Sequence, residues 1–386
     1  MESKHAPHDD IVYPWTIPFV TVHLVGFAAI WSGVTVQALW VAVALYFIRM
    51  FAVTGGYHRY FSHRSYKTSR VGQFVLAFLC QSSAQRGVVW WSAIHRHHHL
   101  HSDTEQDVHS PRHHGFLYSH VGWIFNRQSA KPDYGTVRDL TKSPEITLLD
   151  KFTYTPAFLL ALGLWLWGGW SMLVVGFFWS TIALYHGTFA INSLAHEVGS
   201  QRYMTGDDSR NNFWLALLTM GEGWHNNHHH YQSSARQGFK WWEIDLTYYI
   251  LRALSWTGVI WDLRAPPEAI MRGERPVGRK VVEKVAGELA GAFPVHSYAD
   301  RVREAWSESH RLEDLTQMAR RARSQVEERL AEMSLPHLPT IPEIREKAEE
   351  MFAETPSLDA IVNRAHELLA MAVAAHVCEM ALQGAA

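Results

Sequence analysis

Residues 34–63 read VTVQALWVAVALYFIRMFAVTGGYHRYFSH. The first part, Val34–Thr54, contains one charged side chain, Arg49. As an α-helix it is about 31 Å long, the thickness of a hydrocarbon core. Just past its end come His58 and His63. A run of this kind reads as a membrane-crossing helix that delivers imidazoles to the water interface. Upstream, Trp15–Ser32 is a second apolar run, joined to the first by Gly33 as a helical hairpin. Downstream, Thr155–Trp170 and Ser171–Asn192 form a second pair around the turn-like Gly168-Gly169-Trp170, with Trp residues where an interfacial belt belongs. The expectation is an all-α integral membrane protein with four transmembrane helices in two hairpins, spanning about 15–32, 34–54, 155–170 and 171–192. Val71–Cys80 is too short to cross and is expected to lie on the interface. A soluble protein with very apolar core helices is the competing reading, but two paired runs of this length are hard to bury in one.

Charge sets the orientation. Arg59, Arg64, Lys67 and Arg70 follow the second span, and positive flanks stay cytoplasmic, so both termini and the histidine-rich segments are expected on that side of a multi-pass protein. No cleavable signal peptide is expected, because residues 1–14 are polar at their start and read as a cytosolic N-terminus. Residues 15–265 form the membrane domain and 266–386, rich in Glu, Arg and Ala, a helical cytosolic extension. A net charge of −2 offers no basic surface for nucleic acid. Cys80 and Cys378 lie far apart in apolar stretches, which argues against a disulfide framework and for two buried thiols.

The histidines gather in four places: His58 and His63; His95, His98 and His99; Asn192 and His196; and His225, His228 and His229 after Gly221-Glu222-Gly223. Positions i, i+3 and i+4 share a helix face, so each triad is expected to aim three imidazoles at one point. The five-residue step from His58 to His63 fits no face of a regular helix, so that helix is expected to end or unwind between them. Nine imidazoles and one amide exceed what one ion holds, which implies two metals, and imidazole alone does not choose among Fe, Zn, Cu and Ni. Asp103, Asp107, Glu197 and Glu222 lie near these boxes and could orient imidazoles by accepting their second N–H; solvated loop carboxylates are the equal alternative. His23, His97, His101, His120, His186 and His230 read as packing residues. A histidine-rich surface for loose metal capture would need neither Asn192 nor the glycine-flanked Glu222.

Together these motifs make residues 15–265 resemble the membrane fatty acyl-CoA desaturases, the stearoyl-CoA or delta-9 type and its bacterial relatives. The matching stretches are Gly55–His63, Trp91–His99, Ser119–Trp123, Asn192–His196 and Gly221–His229. The resemblance implies four transmembrane helices under a cytosolic helical cap and a bent tunnel for a long acyl chain carried by CoA or another carrier. It also implies two iron ions held by His58, His63, His95, His98, His99, His196, His225, His228 and His229, with Asn192 acting through water and O2 as co-substrate. Asp107 is followed by Val108 where the family often has Pro. Residues 266–386 match nothing in the family's catalytic part and hold no His-Pro-Gly-Gly haem segment, so the electron donor is expected to be separate: a ferredoxin, cytochrome b5 or rubredoxin-like protein with its reductase.

Breaking an unactivated C–H bond needs a strong oxidant, which redox-inert zinc cannot supply and a reduced iron pair with O2 can. The implied reaction is insertion of a cis double bond at carbon 9 in unsaturated fatty acid biosynthesis. A membrane di-iron hydroxylase is the enzymatic rival, and a non-catalytic metal-binding or transport protein the rival of another class. Arg49 is too costly to face lipid and should point into the bundle or cap. In the extension, Trp306, Leu315, Met318, Ala322, Val326, Leu330 and Met333 recur at helical spacing, and Pro336–Pro342 separates them from a later helix over Leu358–Met380.

Overall fold

The computed structural model describes residues 11–309 and 338–383. They divide into two compact units, one of Met1–Arg202 with Asp207–Met271, the other of Tyr203–Gly206 with Arg272–Ala386.

Among the described residues of the first unit, three helices are long and apolar enough to cross a membrane: α1 (Tyr13–Ser32, 20 residues), α2 (Val36–Ser62, 27 residues) and a later one, Thr155–His196, of 42 residues. Four separate spans were expected. The last helix runs through both members of the second pair, and 42 residues of unbroken helix would be about 63 Å long, twice a hydrocarbon core. It is not unbroken. Gly168 (φ −142°, ψ 21°) and Gly169 (φ 65°, ψ −152°) leave helical geometry at the expected turn. Ala157 and Leu164 before the break, and Met172, Val175 and Phe177 after it, bury in one cluster with Ala38 of α2. The outward faces stay apolar, as with Ile30 (76% exposed) and Trp31 (82% exposed) on α1.

Between these helices stand α3 (Arg70–Gln81) and α4 (Val88–His101); the 42-residue helix is α5, followed by α6 (His225–His230) and α7 (Leu246–Trp256). Ser69 caps α3, its hydroxyl accepting from the Gly72 N–H at 3.0 Å. That helix buries Ala77 and Cys80 and exposes Val71 and Val75, so its two faces differ in burial. A two-residue antiparallel pairing of Lys67-Thr68 with Ile260-Trp261 ties the end of the first histidine segment to the end of the unit.

Arg49 is fully buried in α2. Its guanidinium donates to the Ser180 (2.5 Å) and Thr181 (2.8 Å) hydroxyls and lies 5.3 Å from the Phe177 ring centre, so it faces the bundle and is solvated by hydroxyls. Cys80 and Cys378 are buried, and burial pushes the Cys80 thiol well up.

The second unit is built from α8 (Arg279–Gly291), α9 (Val295–Ser309), α10 (Ile341–Met351) and α11 (Leu358–Gln383). Thr340 and Glu343 form a reciprocal capping box at the start of α10. One core joins Leu289, Ile344, Ile361 and Val362; another joins Val302, Leu369, Val373 and Val377. The helix expected over Leu358–Met380 is present as α11, and Trp306 falls in α9. The remaining stripe, Leu315 to Met333, lies outside the described residues. Met204, far away in sequence, joins the first of these cores.

Candidate metal centre

Between His58 and His63 the helix loosens and ends, as expected: α2 widens to π-helical geometry over Ala52–Ser62 and stops before His63. With i→i+5 bonding, residues five apart stack on one face. The His63 N–H donates to the His58 carbonyl at 3.1 Å and the two ring centres are 4.8 Å apart.

The sequence reading is corrected at the triads. His58, His63, His95, His99 and His228 form one group, and His98, His196, His225 and His229 another; within each, one nitrogen per ring lies within 4.8 Å of all the others. Each triad is therefore split. His95 and His99 stand one turn apart on α4 and share a face, but His98 is rotated by about 100° from its neighbour His99. On α6, His228 turns to the first group while His225 and His229 turn to the second. Two helices thus contribute to both groups, which places the groups side by side; the His99 and His229 rings are 4.5 Å apart.

The nitrogen geometry fits metal ions. His228 Nε2 lies 3.0 Å from His58 Nε2 and 3.0 Å from His99 Nε2, while His95 Nε2 lies 2.8 Å from His63 Nε2 and 3.0 Å from His99 Nε2. In the second group His196 and His225 bring Nε2 atoms to 3.1 Å, and His229 Nε2 is buried without a hydrogen-bond partner. Converging nitrogens and an orphaned buried nitrogen leave lone pairs directed at common points, the arrangement a cation satisfies. Burial, reinforced by the neighbouring imidazoles, holds His63, His95, His99, His225 and His228 well below the usual histidine range. They are neutral at pH 7, as metal binding requires.

Carboxylates hold four of these rings from behind. His58 Nδ1 meets Glu222 at 2.5 Å, His98 meets Asp107 at 3.0 Å, His196 meets Asp103 at 2.8 Å and His229 meets Asp207 at 2.7 Å. Each contact frees Nε2 to face the group. Burial raises these carboxyls, but the adjacent histidines outweigh it and hold Asp103, Asp107 and Asp207 below the usual carboxylate range. Asp103 takes up φ 52°, a left-handed conformation that Asp tolerates better than most residues.

Of the four carboxylates suggested by sequence, Glu197 does not take part; it is exposed, one residue past His196, because the chain turns outward there. Asp207 was missed. It lies in the polar loop Thr205-Gly-Asp-Asp-Ser, whose spacing has no relation to the histidine boxes. His109 was missed as well: it is buried, 4.5 Å from the His98 ring, and burial brings it down to about 3. Asn192, one turn before His196, is partly buried; its backbone carbonyl accepts from the Ser119 hydroxyl at 3.1 Å.

The strand of chain that presents the last box is shaped by two glycines. A side chain at Gly221 (φ 124°) would meet the Asp245 carboxylate at 2.4 Å, and one at Gly223 would meet the Ala216 nitrogen at 2.1 Å. The flanking glycines thereby let Glu222 sit against both His58 and Arg59. Arg59 is buried and bridges Glu222 (3.0 Å) and Asp245 (2.9 Å).

A cavity of about 800 Å³ reaches this centre, lined by Pro18, Phe19, Trp90, Trp91, Ile94, Phe189, His95, His109 and Asn192. Its lining is mainly aromatic and aliphatic, with His95 the member of the first group that it touches. Gln85 donates to the Thr188 hydroxyl at 3.0 Å in the same wall.

Residues 34–259 match the family model for fatty acid desaturase. The chain is similar to an acyl-CoA 5-desaturase of Anemone leveillei, 36% identical over 240 residues, which cover 61% of this chain and 74% of that protein. It is similar to the sn-1 stearoyl-lipid 9-desaturase of Anabaena variabilis, 37% identical over 252 residues, 64% of this chain and 92% of that one. The sn-1 stearoyl-lipid 9-desaturase of Synechocystis sp. is 37% identical over 269 residues, 67% and 82% of the two chains.

Proposed function

From the premise that this chain belongs to the fatty acid desaturase family, we propose that it is an O2-dependent oxidoreductase that inserts a cis double bond at carbon 9 of a long-chain fatty acyl substrate. The observation that carries this reading is the contact between the first imidazole group and an apolar cavity: His95 belongs to that group and to the cavity wall.

The nine histidines of the two groups would hold two iron ions, with Asn192 as a tenth contributor through water. Those ions with dioxygen would supply an oxidant strong enough to take hydrogen from an unactivated methylene. The protein's own part is positioning. The aromatic walls Phe19, Trp90, Trp91 and Phe189 exclude water and hold the methylene chain by contact alone, since such a chain has no polar handle. Trp91 stacks on His95 with ring centres 5.0 Å apart, so the wall that touches substrate also fixes an imidazole.

The proposed topology has four crossings, α5 making two of them around Gly168-Gly169, with both termini and the metal centre on the cytoplasmic side. The basic residues Arg64, Lys67 and Arg70 after α2 support this orientation. A separate electron donor supplies the two electrons that each turnover requires.

The test is expression of the full chain in a host without desaturases, followed by gas chromatography of its fatty acids, and assay of membranes with stearoyl-CoA and with stearoyl-lipid. We expect a cis-9 monounsaturated product that needs O2, with stearoyl-CoA as the carrier. A hydroxylated chain would replace this reading with that of a hydroxylase; conversion of stearoyl-lipid alone would change the carrier; unchanged lipids would leave only metal binding.

A further inference from the structure

The two imidazole groups have different electrostatic support. In the second group, three of four rings give Nδ1–H to a buried carboxylate: His98 to Asp107, His196 to Asp103 and His229 to Asp207. In the first group, one of five does, His58 to Glu222. That carboxylate is also the acceptor of two Arg59 donors, at 3.0 and 3.2 Å. A second guanidinium, Arg96, donates to the carbonyls of Phe61 and Ser62 next to His63, and is itself paired with the Asp139 carboxylate. The remaining bonds to Asp103 and Asp107 come from the Ser110 hydroxyl and from backbone N–H groups of Asp208, Asp103 and His109. Among the described residues, neither carboxylate is held by a guanidinium.

The consequence is physical. A carboxylate behind an imidazole makes that ring a stronger donor, and its negative charge favours the more highly charged state of a bound ion. In a buried site such charges are weakly screened. We propose that the two metal positions are unequal: the His98, His196, His225 and His229 position holds the iron that is oxidised first, and the five-imidazole position holds the iron that stays ferrous longer. The inference rests on the di-iron reading above. Each oxidation removes one electron from one ferrous ion to the titrant, with no bond made or broken. The arrangement sets an order in which electrons from the donor protein fill the centre, the five-imidazole position first.

The test uses the full-length protein loaded with 57Fe in detergent. Metal analysis comes first, and fewer than two irons per chain would sink the di-iron reading itself. With two irons present, an anaerobic potentiometric titration followed by Mössbauer spectroscopy should show two separate one-electron steps in the unaltered protein. Asp107→Asn should raise the lower step by about tenfold in the one-electron equilibrium, about 59 mV, and so narrow the gap. Asp103→Asn should act in the same direction. Glu222→Gln should raise the upper step and widen the gap. A merely structural role for these residues would change iron retention without opposite effects on the gap. Coincident steps in the unaltered protein, or a gap that Asp107→Asn widens and Glu222→Gln narrows, would overturn the proposal, and the first of these needs no variant.

Discussion

The two units of this chain are stabilised by opposite uses of polarity. The second buries aliphatic side chains such as Leu289, Ile344 and Val373 and keeps its ion pairs, Arg345–Asp359 and Lys347–Glu350, at the surface. The first buries Arg59, Glu222, Asp245, Asp103, Asp107 and most of the clustered histidines. Apolar burial is non-directional, so the second unit tolerates exchange of shape among similar side chains. Buried charges are stable only when each donor finds its acceptor, so in the first unit geometry and stability are the same requirement. The comparison teaches where substitution affects chemistry and where it affects folding alone.

The sharpest way to break it is His228→Ala, which removes the nitrogen that meets both His58 and His99. Product formation should fall below detection in the chromatographic assay and iron should drop below two per chain; retained activity would take His228 out of the centre. Val373→Asp is the counterpart in the second unit, placing an unpaired charge where the side chain is fully buried. It should destabilise that unit by about 3 kcal/mol or more, seen as faster limited proteolysis, while iron content stays at two per chain. Loss of iron would show that the second unit is not merely a hydrophobic bundle.

Asp207→Asn keeps the size of the side chain but weakens its hold on His229. Iron affinity should fall about 10- to 100-fold, measured by competition with a chelator. Acid should act through the same rings. Because His95, His99, His225 and His228 are held well below 6.5, the unfolded chain takes up protons as pH falls through 6.5 while the folded cluster does not. The contribution of these rings to the stability of the metal-free protein should therefore decline below that pH, which thermal melts at stepped pH would check. The smallest effect belongs to Glu197→Gln: this exposed side chain should change stability by less than about 0.5 kcal/mol and leave iron content unaltered. A measurable loss of iron would restore Glu197 to the group that orients imidazoles.

Much of the site was legible because its parts are local. A box such as His95-x-x-His98-His99 shows its ligand type and its helix in nine or fewer residues, and the apolar lengths of Val34–Thr54 and Thr155–Asn192 are set by what a hydrocarbon core requires. Glu222 was visible between its two glycines. Asp207 was not, because it reaches His229 through a loop path that no helical or strand period describes. The four residues just before it are likewise counted with a unit that begins nearly seventy residues later in the chain, at Arg272.

By itself, then, the amino-acid sequence singled out which imidazoles could share a centre and which apolar segments could cross a membrane, because residue type and short-range periodicity are properties of a segment. Only the tertiary structure decided how those imidazoles are shared out. Helical phase sends His98 and His99 to different groups, a π-helical segment brings His63 onto the face of His58, and distant aspartates choose three of the four rings in one group. These outcomes depend on the directions of side chains from separate elements meeting at one place, and direction across a gap is set by packing rather than by any single stretch of chain.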